Sequence, residues 1–380
     1  MLRNTAGVFP ATWQKLMLNH GTLSRKNVLK IYDSRTELKH NTMKRIGYIL
    51  TDKTVTVDAC RTAIKEAAKG KHQRLSVQRV LKDIDSYAEK LRTIILTGTY
   101  RPKPYKECHI VDKPSKKARI LEKPVFFPDQ CVHHLAIDLI KDRLLKRLDP
   151  YCIGGIEGRG IHYGHRAIKR WLANDRKHTK YCSKGDIRKC YESIKPEVIV
   201  SSMEKFIKDK RYLDLIRIIA HSHPSLPLGN YTSGWFANIV LSGLDKTARA
   251  DPACKHYLRY VDDFIVLGSS KRKLHRMVPK IKAALAEIGL DLKGNWQIFP
   301  VRVRGIDMLG YRYFGDYVLM RKRNILSLIR ALRKYKKHRT TKRARGLLSR
   351  LGQLIHFNSY HFYQKYVKGT GIKKLKEAAK

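Results

Sequence analysis

The sequence predicts an α+β fold, with helices packed on a largely antiparallel sheet. Three observations carry that prediction. Short runs of strand-forming residues come in pairs joined by turn residues, as in HYLRYVDDFIVLG at residues 256–268 and in MLGYRYF followed by YVLMRK. Between these pairs lie longer stretches whose apolar positions recur at helical spacing, notably over residues 76–96 and 129–148. The chain is 380 residues long and 43% hydrophobic, enough for a folded core arranged as two or three subdomains around one site.

In order along the chain, residues 1–42 are a weakly patterned extension of unknown role. Over residues 76–96, Val77, Val80, Leu81, Ile84, Ala88, Leu91, Ile94 and Ile95 predict one helix that ends near TGTYRPKP. YKECHIVDKPSKKARILEKP reads as a strand, a basic loop around Pro114 and a second strand. Residues 129–148 place Val132, Leu135, Ala136, Leu139, Ile140 and Leu144 on one helical face, with Asp129 as its expected N-cap and Pro150 closing it. A glycine-rich turn, GGIEGRG, opens another helix. A short strand then ends near Asp186, turns and a helix follow, and residues 204–220 are expected to continue helically. HPSLPLGN opens what reads as one long amphipathic helix, the 256–268 hairpin follows, and KLHRMVPKIKAALAEI supplies a further helix. Near the C-terminus, Ile325, Leu328, Ile329, Leu332 and Tyr335 form one helical stripe, and Leu347, Leu351, Leu354 and Ile355 another.

Charge narrows the class of partner. Lys and Arg number 80 against 32 Asp and Glu, a formal net charge of +48. Self-repulsion on that scale is tolerable when a polyanion neutralises it, and nucleic acid is the first candidate. The excess is steepest over residues 321–380, which hold 19 Lys and Arg against one acidic residue, Glu377. Solvated outer faces of core-covering helices explain part of this; a phosphate-tracking surface explains the asymmetry. The seven cysteines form no C-x-x-C pair, so neither a zinc site nor a disulfide framework is expected. No apolar run approaches the roughly 18 to 20 residues that span a bilayer. The start lacks a secretory-type apolar core, so the expected location is cytoplasmic, with no membrane partner.

The 256–268 hairpin poses a chemical question. Asp262 and Asp263 stand side by side between its two strands, and neighbouring carboxylates resist joint ionisation unless a cation lies between them. A plain hairpin turn is the alternative, because aspartate favours turns. Two-metal phosphoryl transfer needs carboxylates from separate strands, and Asp186, at a predicted strand end, is the best third ligand.

These pieces carry a resemblance. DIRKCYESI resembles the first catalytic motif of reverse transcriptases and YVDD the second, in matching order. LPLGNYTSGWFAN resembles the intervening template and nucleotide motif, and MLGYRY the primer-grip hairpin. The likeness runs from about Met43 to the C-terminus. It includes TYRPKPYKECHIVDKPSKKARIL as fingers and LLSRLGQLIHFNSYHFYQKYVK as thumb. Among bacterial enzymes it is most similar to those of diversity-generating retroelements, beside group II intron and retron reverse transcriptases. The resemblance implies a right-hand polymerase fold, with fingers and palm around an antiparallel sheet and a basic helical thumb. The divisions are 1–42 extension, 43–175 N-terminal helices and fingers, 176–320 palm and 321–380 thumb.

It also implies roles. Asp186, Asp262 and Asp263 are the expected catalytic residues and hold two Mg2+ ions, with Mn2+ able to substitute. Tyr191 matches the ring that stacks under the deoxyribose and excludes a 2′-hydroxyl; a core tyrosine is the alternative. Arg119 matches the triphosphate clamp, with Lys117 assisting, and both could equally be solvated loop charges; Arg159 matches a fingers and palm position near the template. Arg333, Lys336 and Arg343 are the expected phosphate contacts of the thumb. Leu228 with Gly229 stands where most of the family has Gln-Gly, the mark of the diversity-generating type, and a lost side-chain amide should loosen nucleotide discrimination. That type usually continues to Ser-Gln, whereas this chain has Ser233-Gly234, where Gly234 either widens the pocket or permits close helix packing. Lys293 sits where polymerases often place the acid that protonates pyrophosphate; a surface lysine is the alternative.

The implied function is an RNA-directed DNA polymerase copying a structured template RNA into cDNA from deoxynucleoside triphosphates, with a small basic accessory protein as a candidate partner. A defence-associated enzyme of an antiphage system and a maturase-like RNA-binding protein on the same scaffold are the competing expectations.

Overall fold

The computed structural model describes residues 44–112 and 117–379, with backbone alone at Asp112, Lys117 and Arg119. Its first helix, α1 (Val57–Ala68), begins where the Thr56 side chain accepts a hydrogen bond from the Ala59 N–H, and buries Cys60, Ala63, Ile64 and Ala67. Sequence periodicity did not reveal it because its buried face is built largely from small residues. The single helix expected over 76–96 is two, α2 (Leu75–Lys82) and α3 (Ile84–Thr97), because Asp83 between them leaves the helical region at φ −129°, ψ 52°. Gly98, left-handed at φ 69°, closes α3.

Strands β1 (Lys106–Asp112) and β2 (Lys117–Lys123) form the expected hairpin, antiparallel, with Lys106 opposite Lys123. Pro114 and the rest of the basic loop, residues 113–116, lie outside the described residues. Helix α4 (Cys131–Asp138) stops sooner than expected, and only a short helical turn, Lys141–Leu145, follows Ile140. Asp129 is not its cap. Fully buried, it accepts the Tyr100 hydroxyl at 3.1 Å and the Lys103 N–H at 3.2 Å, tying the preceding segment to the start of the helix.

Helix α5 (Ile161–Asn174) leads to β3 (Tyr181–Asp186) and then α6 (Pro196–Glu204), with proline in its first turn. The helix expected to run on to residue 220 restarts instead as α7 (Lys210–Ala220). Asp209 dictates the break, accepting the Tyr212 N–H at 3.1 Å with one oxygen and the N–H groups of Ile49 and Leu50 with the other. The long helix expected after LPLGN is α8 (Tyr231–Val240) and α9 (Ser242–Ala250), divided at Leu241. Eight of the ten residues of α8 are buried, so it is a core helix and not an amphipathic one.

Strands β4 (His256–Tyr260), β5 (Asp263–Gly268) and β6 (Gln297–Pro300) join β3 in an antiparallel sheet of order β4-β5-β3-β6, with α10 (Lys271–Ala286) packed against α9 and β6. With the helices before it, this sheet makes one compact unit, which ends at Pro300. A second unit begins at Val301. It carries a three-stranded sheet, β7 (Ile306–Met308), β8 (Tyr311–Phe314) and β9 (Tyr317–Met320), in which β8 and β9 are the second expected hairpin. Helices α11 (Lys322–Lys337) and α12 (Thr341–Leu351) follow and pack together. They bury Leu328, Leu332 and Tyr335 from one and Ala344, Leu347 and Leu351 from the other. Ile355, expected on the second stripe, is 48% exposed because the chain tightens into a 3-10 turn at Gly352–His356 and leaves the helical register. No helix among the described residues is long and apolar enough to cross a membrane.

Candidate active site

The antiparallel register brings the carboxylates to one end of the four-stranded sheet. Asp186, last in β3, pairs directly with Asp263, first in β5. Asp262 occupies the turn between β4 and β5, and its carbonyl accepts the Ile187 N–H at 3.1 Å. The turn is strained: Val261 sits at φ 59°, a region that costs a β-branched residue on the order of 1–3 kcal/mol. Its neighbours leave little room. A Cβ on Gly154 would stand 2.6 Å from the Val261 nitrogen, and one on Gly185 would stand 2.5 Å from the Phe264 ring. Gly154 is therefore required by close approach to the acidic turn, and Gly185 by the Phe264 ring that follows it.

Electrostatics separates the acids. Burial pushes the Asp263 carboxyl up to about 6, opposed by the Lys184 ammonium, whose Nζ lies 3.4 Å from Oδ2. Its other oxygen, Oδ1, is enclosed without a hydrogen-bond partner among the described residues. Asp186 is more open, and Lys293 Nζ stands 3.3 Å from its Oδ2 while the Lys293 N–H donates to its carbonyl at 2.9 Å. Among the described residues no three His, Cys, Asp or Glu side chains form a ready group for an ion, so the expected ring of three is not closed here. Two of its carboxylates face lysines instead. The donor chemistry nevertheless fits a hard divalent cation: carboxylate oxygens only, with one buried and unpartnered at Asp263.

The residues expected on the substrate side are stitched together by backbone. The Leu226 N–H donates to the Tyr191 carbonyl at 3.1 Å, and the Glu122 N–H of β2 donates to the Leu228 carbonyl at 3.0 Å. The 226–229 loop thus bridges Tyr191 and β2. The bridge is reinforced where the His223 ring meets Glu122 Oε1 at 2.7 Å and the Ser233 hydroxyl donates to the Pro227 carbonyl at 2.8 Å. Gly229, at φ 116°, brings the loop so near β2 that a Cβ would stand 3.2 Å from the Glu122 carbonyl oxygen. Tyr191 is half-buried, and burial pushes its hydroxyl up to about 12. A Cβ on Gly234 would meet only that hydroxyl, at 3.9 Å. Gly234 therefore opens space beside Tyr191 and is not demanded by helix packing. Lys117 and Arg119 lie on β2, and their side chains fall outside the described residues.

The family described as reverse transcriptase (RNA-dependent DNA polymerase) matches residues 113–313, more than half of the chain. The chain belongs to the reverse transcriptase family. Its similar proteins include the group II intron-encoded protein LtrA of Lactococcus lactis subsp. cremoris, 28% identical over 173 residues, which are 42% of this chain and 28% of that protein. Another is the retron Ec73 reverse transcriptase of Escherichia coli, 35% identical over 99 residues, 24% of this chain and 31% of that one. The matched part spans less than a third of the length of either relative.

Two groups of expected nucleic-acid contacts differ in availability. Arg159 is half-buried and donates to the carbonyls of Asp149 at 3.0 Å and Leu145 at 3.4 Å, so its fork is engaged within the chain. Arg333 and Lys336 on α11 and Arg343 on α12 are exposed, although Arg343 also donates to the His338 carbonyl at 3.3 Å. Sequence reasoning missed Lys184, which faces Asp263, and Arg259, Asp245 and Asn238, which are buried beneath the acidic turn. The one available signal was Arg259, a charge set among the strand-forming residues Tyr257, Leu258 and Tyr260.

Proposed function

We propose that this chain is an RNA-directed DNA polymerase that extends a primer on a structured template RNA, using deoxynucleoside triphosphates and releasing pyrophosphate. The observation that carries the reading is the register of Asp186 against Asp263, with Asp262 in the adjoining turn, on a chain of the reverse transcriptase family. Asp186, Asp262 and Asp263 would hold two Mg2+ ions, with Mn2+ able to substitute. Such ions, when bound, supply Lewis-acid stabilisation of the phosphoryl oxygens and lower the pKa of the attacking 3′-hydroxyl.

The chain's own groups do the rest. Tyr191 supports the sugar and leaves no room for a 2′-hydroxyl. The 226–229 loop, tied to β2, forms the floor on which the nascent base pair rests, and Leu228 offers it no hydrogen bond. That aliphatic contact supports a retroelement of the diversity-generating type, with a small basic accessory protein as partner. Lys117 and Arg119 on β2 take the triphosphate, Lys293 carries a proton for the departing pyrophosphate, and Arg159 lies beside the template. The exposed cations of α11 and α12 hold the duplex. The divisions at 43–175, 176–320 and 321–380 serve as fingers, palm and thumb, and a cytoplasmic location fits.

The test is primer extension on a defined RNA template with Mg2+ and deoxynucleotides, together with sequencing of nucleic acid that copurifies with the protein. RNA-templated extension is the expected result. Tight RNA binding without any incorporation would replace this reading with that of a binding protein on a polymerase scaffold.

A further inference from the structure

Arg259 has no exposed surface and spends every N–H of its guanidinium inside the protein. Its Nε and Nη2 grip the two carboxylate oxygens of Asp245 at 2.7 Å each. Nη2 also reaches Cys152 Sγ at 3.2 Å. Nη1 points elsewhere, to the Val261 carbonyl at 2.9 Å and Asn238 Oδ1 at 3.1 Å. A buried ion pair is weak evidence for stability, because apolar side chains of similar volume often serve as well. The third nitrogen is what needs explaining.

We propose that Arg259 is a positioning residue for the acidic turn: by holding the Val261 carbonyl it fixes the peptide plane that leads into Asp262 and Asp263. The Val261 backbone does not rest at φ 59° of its own accord, so something must hold it there. Two clamps do so. Arg259 binds the carbonyl, and Gly154 packs so close that a Cβ there would stand 2.6 Å from the Val261 nitrogen. Asn238 joins the clamps, donating from Nδ2 to the Gly154 carbonyl at 2.8 Å while its Oδ1 accepts from Arg259. The strand carrying Arg259 is itself pinned to residues 151–153, since the Arg259 N–H donates to the Tyr151 carbonyl at 3.0 Å and its carbonyl accepts the Ile153 N–H at 2.9 Å. Tyr257 differs in kind. Its hydroxyl donates to Asp245 Oδ1 at 2.6 Å, away from the Val261 carbonyl.

The inference rests on the polymerase reading, and three variants separate the two. Arg259→Lys keeps the charge for Asp245 but cannot also reach Val261. Asn238→Ala removes the link between the clamps, and Tyr257→Phe removes a bond remote from the turn. Each is compared with the wild type for incorporation kinetics, RNA affinity, melting temperature without divalent cation, and the rise in melting temperature on adding Mg2+ alone. The expected result for Arg259→Lys is a fall in kcat of ~10²-fold with KM for deoxynucleotide little changed, the scale of loss that follows a misplaced reacting geometry. The Mg2+-dependent rise should vanish while RNA affinity stays near wild type. Asn238→Ala should show a smaller loss of the same kind, and Tyr257→Phe should show none.

An undiminished Mg2+-dependent rise in Arg259→Lys overturns the proposal, as does the absence of that rise in the wild type. So does equal damage from Asn238→Ala and Tyr257→Phe, which is the outcome for general core support and also decides the case if Arg259→Lys fails to fold. A wild type that shows the rise but makes no DNA refutes the polymerase reading and leaves the positioning role to be judged on melting.

Discussion

The acidic end of the four-stranded sheet and the basic C-terminal helices use charge in opposite ways. At the sheet end a few carboxylates are set by strand register, and a buried arginine beneath them leaves no donor idle. Along residues 321–380, 19 Lys and Arg face one acidic residue, and Arg333, Lys336 and Arg343 are exposed on helices whose packing involves other side chains. On the proposed reading the first region depends on placement, where the displacement of one oxygen matters. On the same reading the second depends on number, because counterion release adds up phosphate by phosphate. Damage to the first should therefore appear in turnover and ignore salt, and damage to the second should appear in affinity and follow salt.

The largest effect should come from the acids. Replacing Asp262 and Asp263 together by Ala is expected to lower deoxynucleotide incorporation by ~10³-fold or more, about 4 kcal/mol in activation free energy, with RNA affinity largely retained. Primer extension beside filter binding at two salt concentrations checks both halves; loss of RNA binding in the same variant would break the division of labour. Next come Arg333→Glu, Lys336→Glu and Arg343→Glu combined. Each phosphate that the helices no longer neutralise should take about 0.7 to 0.9 off the slope of log affinity against log salt. An unchanged slope, measured by titration across salt, would reduce these residues to solvating charges.

The same contrast governs what was legible in the sequence. Asp262 and Asp263 announce themselves because they are adjacent and flanked by strand formers, and Asp186 because a strand ends on it. Numerical charge excess is equally plain from composition. What periodicity could not reveal is where a tertiary partner overrides it. Asp209 breaks a helix because it takes N–H groups from Ile49 and Leu50, far away in the chain. Asp129 leaves its capping position for Tyr100 and Lys103. Arg259 and Asp245 meet only once β4 and α9 have packed, and Lys293 turns to Asp186 across the chain's own fold. Each such residue depends on a partner remote in sequence, and no local pattern encodes that.

A tenfold effect should separate a placed ring from a packed one. Tyr191→Ala is expected to raise the use of ribonucleotides relative to deoxynucleotides by about tenfold, near 1.4 kcal/mol in transition-state free energy. Gly234 leaves open space beside that ring, since a Cβ there would meet only the Tyr191 hydroxyl. Deoxynucleotide incorporation should persist at a reduced rate. Competition between the two substrates on one primed RNA template reads the ratio directly, and a ratio that does not move would make Tyr191 a core residue and remove the sugar-side support for the alignment.

The smallest expected effect tests whether a buried acid always signals chemistry. A cavity of about 520 Å³, lined among others by His134, Asp138, Lys141, Glu157, Tyr231 and Trp235, encloses a second raised carboxyl. Burial pushes Asp138 up to about 6, with Lys141 opposing, while the Lys141 ammonium is drawn to Glu157 at 2.8 Å. The folded state holds a proton on Asp138 up to a higher pH than the unfolded chain does, so its burial lowers stability progressively as pH rises from about 4 to about 6, and the full penalty persists above that. Asp138→Asn removes the ionisation and should stabilise the protein at pH 8 by about 1 kcal/mol once solvent screening is discounted, roughly 2 °C in melting temperature. At pH 5 the gain should roughly halve, because part of the wild-type population is already neutral there. Incorporation should not change. A variant that melts lower than wild type at pH 8, or that loses incorporation, would mean that the ionised Asp138 carboxylate has a partner or a task, and that placement rather than number governs this end of the molecule too.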